Sequence, residues 1–246
     1  ALASEDDGDG CVAVGFMALG DQTGVTGPVL NTALGAKAGK DLTTGVKNVF
    51  IGHQAGFATL DVDETVIIGQ GAGAAIMTAD ADGTVAIGAG AGAAITSGIG
   101  NTCVGSNALD SEDDGDQNTA IGYKALAAQT GTSGEVGNTA IGYQAGQFAT
   151  TAQFCTFVGN EAGQGIGATK LTGNNNTAVG SNAGLLLQGT AQANVLLGST
   201  AGDVITSGNG NICIGNDADP SAATASNQTV IGGGATGIGD NYAVVG

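Results

Sequence analysis

The nine residues "NTAIGYQAG" (138–146) have close relatives along the chain: "NTAIGYKAL" before them, then "NTAVGSNAG" and "NVLLGSTAG". Repetition at a short period restricts a chain to solenoids and related arrays, because each repeat must stack on the next to bury its apolar face. With the glycine of each aliphatic–Gly pair as anchor, fourteen anchors appear: Gly15, Gly35, Gly52, Gly69, Gly88, Gly105, Gly122, Gly142, Gly159, Gly180, Gly198, Gly215, Gly232 and Gly246. Their spacings are 20, 17, 17, 19, 17, 17, 20, 17, 21, 18, 17, 17 and 14, so the basic period is 17 with small insertions.

The columns around the anchor are sharper than the period. The residue before Gly is aliphatic in all fourteen cases, and the third residue before it is β-branched in all but Ala243. Asn stands four before Gly at Asn31, Asn48, Asn101, Asn118, Asn138, Asn176, Asn194 and Asn211, and Ala stands three after Gly in every full repeat. Alternating β-branched residues mark a short strand. The Asn column is expected to stack into an amide ladder, and Gly with its following Ala to form a tight corner. A strand every 17 residues leaves no room for helices between. The expectation is an all-β fold, a parallel β-solenoid or β-roll of about fourteen coils. At ~4.8 Å per coil such a stack would run ~65 Å. Residues 1–10 form an acidic N-terminal segment and 11–246 a single repetitive solenoid.

Residues one and three before Gly share a face. Their regular, large apolar character assigns that face to the interior, with a core column of Ile51, Ile68, Ile87, Ile121, Ile141, Ile214 and Ile231. The intervening column, two before Gly, then points outward. It is apolar too, and includes Ala120, Ala140, Phe157, Ala178 and Leu196. A continuous apolar stripe marks a buried surface. Extra layers of the same chain would account for it; packing against further copies of the chain, most simply a homotrimeric fibre, is the preferred expectation. Neither end carries an evident polar cap, so the segment is expected to continue into a longer fibre.

Here the residues carry a resemblance. "NTAIGYQAG", "NTCVGSNAL" and "GNNNTAVGSNAG" resemble the head repeats of trimeric autotransporter adhesins (YadA-like) and the related repeats of bacteriophage tail fibres, over residues 11–246. The resemblance implies a left-handed parallel β-roll assembled as a trimer. The period of 17, and Ala where the adhesin repeat commonly has Ser, favour the virus fibre.

Composition removes several alternatives. With 22 Asp+Glu against 5 Lys+Arg the net charge is −17, which repels nucleic acid and anionic membranes. No apolar run approaches the ~18 residues of a membrane span, so membrane insertion is not expected. Glycine, 47 of 246 residues, comes with abundant Val, Ile and Leu, unlike a disordered chain.

The tempting motifs reduce to the repeat. "VIGGGATGIG" (230–239) contains G-x-G-x-x-G after a strand, but Gly232 and Ala235 are repeat columns and no helix or ribose-binding acid follows. No cofactor is expected. "SEDDGD" occurs at 4–9 and 111–116. It reads first as solvated charge and second as a Ca²⁺ loop, with Asp113, Asp114 and Asp116 the candidate ligands. Cys11, Cys103, Cys155 and Cys213 lie too many coils apart for intrachain disulfides and read as buried fillers. His53 is the only His, which excludes a His metal cluster; with no triad partners evident beside it, it reads as an exposed corner residue. Phe16, His53, Tyr123 and Tyr143 share the corner column after Gly, beside polar Gln144. This corner is a candidate recognition ridge for a cell-surface glycan or protein, or a plain solvent face.

These features predict a non-enzymatic structural segment of an extracellular fibre, a phage tail-fibre shaft or adhesive region. It would support host attachment beside other fibre or virion proteins. The alternative is a bacterial trimeric adhesin head. A carboxylate-based depolymerase lacks a defined groove pair. An ice-binding face would need an unbroken outward Thr column, whereas Val12, Val49, Val66, Val85, Val195 and Ile212 interrupt it and the column is expected to face inward.

Overall fold

The computed structural model describes residues 8–23, 27–130 and 133–246. The fold is all-β, a parallel β-solenoid, with one 3-10 turn among the described residues, at Ala79–Ala81. It divides into two compact units, Ala1–Asn118 with Gly131–Glu135, and Thr119–Thr130 with Val136–Gly246. In the first unit the strands Val12–Val14, Thr32–Leu34, Val49–Ile51, Val66–Ile68, Val85–Ile87 and Thr102–Val104 pair in parallel, each with the next. In the second, Thr119–Ile121, Thr139–Ile141, Thr156–Val158, Thr177–Val179, Val195–Leu197, Ile212–Ile214, Thr229–Ile231 and Ala243–Val245 do the same. Register follows the sequence columns: Thr139 pairs with Thr156, Ala140 with Phe157 and Ile141 with Val158.

The orientation of these strands reverses the sequence-based expectation. The column two before Gly faces inward: Ala120, Ala140, Phe157, Ala178 and Leu196 are fully buried within the chain. They are core residues, not an inter-chain interface. The column assigned to the core faces outward. Ile121, Ile141, Ile214 and Ile231 are 37, 39, 36 and 37% exposed, and Ile51, Ile68 and Ile87 are half-buried. The Thr/Val column three before Gly lies outward beside them. The physical reason is width. A 17-residue coil encloses a narrow lumen that takes one inward side chain per strand, and most coils fill it with small residues. The buried Ala column after the anchor closes the same lumen from the corner.

Interior volume is balanced coil by coil. Where the inward strand residue is large, as at Phe157, flanking corners carry Gly146 and Gly163, and a Cβ on either would strike the ring. Where it is Ala120, the corner carries buried Leu126 instead. This complementarity keeps the interior close-packed. Anchor glycines serve the backbone. Gly142 has φ +141°, and a Cβ there would collide with the Gly159 carbonyl of the next coil. The second residue after most anchors takes a left-handed φ, +53° at Gln144 and +59° at Asn182. Its N–H bonds the previous coil, as in Gln144 N to Tyr123 O at 2.8 Å.

The Asn column is fully buried and forms the expected ladder, but mainly against backbone. Asn194 Oδ1 accepts from Asn211 N at 3.0 Å, and Asn194 Nδ2 donates to Gly208 O at 2.9 Å. Direct amide-to-amide bonds join Asn194 to Asn176 and Asn211 to Asn194, at 3.0 and 3.1 Å. Each Asn thereby satisfies main-chain groups that an interior turn would otherwise leave orphaned.

Candidate functional site

Three features stand out from the scaffold: the outward strand face, the aromatic corner and the acidic loops.

The outward face is built by the two-residue alternation of every strand. None of the fourteen three-residue strands contains a charged residue. Each coil therefore presents an aliphatic side chain and, beside it, Thr, Val, Ile or, once, Ala. Among the described residues, the acidic residues all lie outside these strands, in the segments that flank and connect them, including the two-residue strands Gly8–Asp9, Gly115–Asp116 and Gly134–Glu135. Within each unit the result is an uncharged stripe beside acidic loops. The sequence-based expectation put the outward apolar stripe on the column two before Gly; it lies instead on the columns one and three before Gly.

The corner column is exposed at Phe16, His53, Tyr123 and Tyr143, with Gln144 half-buried. Tyr123 and Tyr143 stack with ring centroids 5.4 Å apart and planes 17° from parallel. This is the offset geometry that aromatic pairs prefer, enforced by successive coils. Lys124 Nζ lies 5.4 Å from the Tyr123 ring centroid. Gln164 Nε2 donates to Gln144 Oε1 at 3.1 Å and Gln147 Oε1 at 3.2 Å, making a polar strip on the neighbouring turn.

Among the described acidic residues, Glu112, Asp113 and Asp114 bring carboxylate oxygens within 4.8 Å of one another. Asp116 does not join them; its Oδ1 accepts from Ile99 N at 2.8 Å and ties the loop to the preceding coil. Glu112 takes its place and was not singled out from sequence. The signal was present: Glu112 stands seven after Gly105, a column holding Leu42, Ile95, Leu187 and Ile205 in other coils. An acid in a core column is anomalous. Burial pushes the Glu112 carboxyl up, against N–H bonds from Gly115 and Asp113 that favour its charged form. The other "SEDDGD", at 4–9, lies largely outside the described residues.

A second group gathers in the other unit. Burial first, and the charges of Asp203 and Asp217 next, raise the Asp219 carboxyl to about 6. Asp203 is itself raised, by burial and by Asp217.

The four cysteines are free of disulfide bonds, and Cys103, Cys155 and Cys213 are buried. Burial lifts the Cys103 and Cys213 thiols to about 12 and Cys155 to about 11. The Glu112 charge adds to the shift at Cys103, and that of Asp219 at Cys213. Such thiols are packing groups rather than nucleophiles.

No helix among the described residues is long and apolar enough to cross a membrane. Compared with known protein families, curated proteins and solved structures, the chain matches none.

Proposed function

We propose that this chain is a structural segment of an extracellular fibre, of the phage tail-fibre kind, in which identical chains pack through the outward strand face. One observation carries the reading: every strand turns an uncharged, largely aliphatic pair of side chains outward, exposed or half-buried, in register with the strands beside it. An isolated protein gains nothing from such a stripe, whereas covering it removes aliphatic surface from water at ~25 cal/mol per Å². The acidic loops keep the remaining surface soluble and disfavour packing on other faces. Three copies is the stoichiometry implied by the resemblance of the repeat. The working role is mechanical, a stiff stacked spacer supporting attachment to a host surface.

The test is mass in solution. Light scattering of the chain, 23.4 kDa, is expected to give about three times the monomer mass. Ile121→Asp with Ile141→Asp is expected to give a folded monomer, while Ala140→Asp, an interior change, is expected to unfold the coil. A well-folded monomer of the unaltered chain sinks the reading.

The stacked, exposed Tyr123–Tyr143 pair favours a second reading, an adhesin head that contacts a surface glycan through its corner. Glycan-array binding lost in Tyr143→Ala, with unchanged oligomer mass, is its signature.

A further inference from the structure

We propose that Glu112, Asp113 and Asp114 form a Ca²⁺ site, independent of how the chain assembles. Glu112 is fully buried. Its Oε1 accepts from Asp113 N at 3.1 Å and Gly115 N at 2.8 Å. Its Oε2 is also buried and has no hydrogen-bond partner. A buried carboxylate oxygen without a partner is costly, and native interiors rarely keep one without an ion or water to satisfy it. That anomaly is separate from the crowding of acids, and it falls on one of the three clustered residues.

The geometry fits one hard cation. Two oxygens each ~2.4 Å from a Ca²⁺ ion can be at most ~4.8 Å apart. The carboxylates of the three residues offer oxygens within 4.8 Å of one another. Asp113 is exposed and Asp114 half-buried, leaving a solvent side for entry and for the waters that complete a coordination of six to eight. The donor set is oxygen only, which favours Ca²⁺ over the softer transition metals. The loop is also anchored: Asp113 O accepts from Thr96 N at 2.8 Å and Ser97 N at 3.2 Å of the preceding coil. A bound ion would thus tie the loop to its neighbour and stiffen the first unit locally.

The experiment uses the full chain, stripped with chelator and titrated with Ca²⁺ alone by calorimetry. The expected result is one equivalent bound, with a rise in unfolding temperature. Glu112→Gln, close in shape, and Asp113→Asn with Asp114→Asn should each weaken binding about tenfold or more. Both should abolish the thermal shift. Absence of binding at millimolar Ca²⁺ overturns the proposal. So does binding that Glu112→Gln leaves unchanged, which would mark diffuse attraction to the acidic surface. Should Glu112→Gln fail to fold, the double variant at the two solvent-facing positions decides: unchanged affinity there overturns the site.

Discussion

The ring of Phe157 occupies the space that a side chain on Gly163 would need. Phe157 is fully buried and Gly163 holds φ +57°, so the pair is constrained twice, by volume and by backbone conformation. Gly163→Ala is expected to destabilise by about 2–4 kcal/mol, combining left-handed strain of ~1 kcal/mol with overpacking. Gly71→Ala has a similar φ of +62° but open space around its Cβ; it should cost only ~1 kcal/mol. Denaturant unfolding of the two variants measures the difference, and equal losses would refute the packing account.

The corrected face assignment separates two aromatic or aliphatic truncations. Phe157→Ala should cost about 3–5 kcal/mol of stability, the price of a cavity in a closed lumen. Ile141→Ala, on the outward face, should cost under ~1 kcal/mol in the isolated chain and act mainly on association. Unfolding midpoints at low and high protein concentration distinguish the two effects.

The ladder is a buried polar network, so its loss should be large for a surface-sized change. Asn194→Leu leaves Asn211 N and Gly208 O without their bonds. A loss of about 2–4 kcal/mol is expected. Hydrogen exchange should show it first as faster opening of the strands at 195–197 and 212–214.

Asp219 makes stability depend on pH. Its folded pKa of about 6 exceeds the ordinary ~3.9 of an unfolded Asp. Between those values the folded state holds the proton more tightly, so this group adds stability as pH falls from ~6 to ~4 and withdraws it as pH rises. Allowing for solvent screening at a partly exposed group, the span is about 1–2 kcal/mol. Asp219→Asn should raise the neutral-pH unfolding midpoint and flatten the profile across that window. A variant with an unaltered profile would contradict the assignment.

Thiol chemistry gives an independent check on the interior. Cys103, Cys155 and Cys213 are buried with raised pKa values, whereas Cys11 is only half-buried. Native protein should release about one equivalent of chromophore from a disulfide reagent, and four after unfolding. Rapid reaction of all four in native protein would refute the burial.

What could be read from the residues was whatever has a single local cause. The Asn column reads as a stacked ladder, without its burial or its bonds to main chain. The 17-residue period, the strand before each Gly and the parallel stacking follow from columns that admit one explanation each. Corner residues such as Tyr143 were placed outside for the same reason. The choice between the two faces of a strand was not local. Both Ile141 and its neighbour Ala140 are apolar, so alternation alone could not say which turned inward. The lumen decided, because a coil this narrow accepts Ala140 or, with Gly146 and Gly163 beside it, Phe157, but not two aliphatic columns at once. Glu112 shows the same divide: its acidity was plain in the sequence, while its burial beside Asp113 and Asp114 exists only once the coils are stacked.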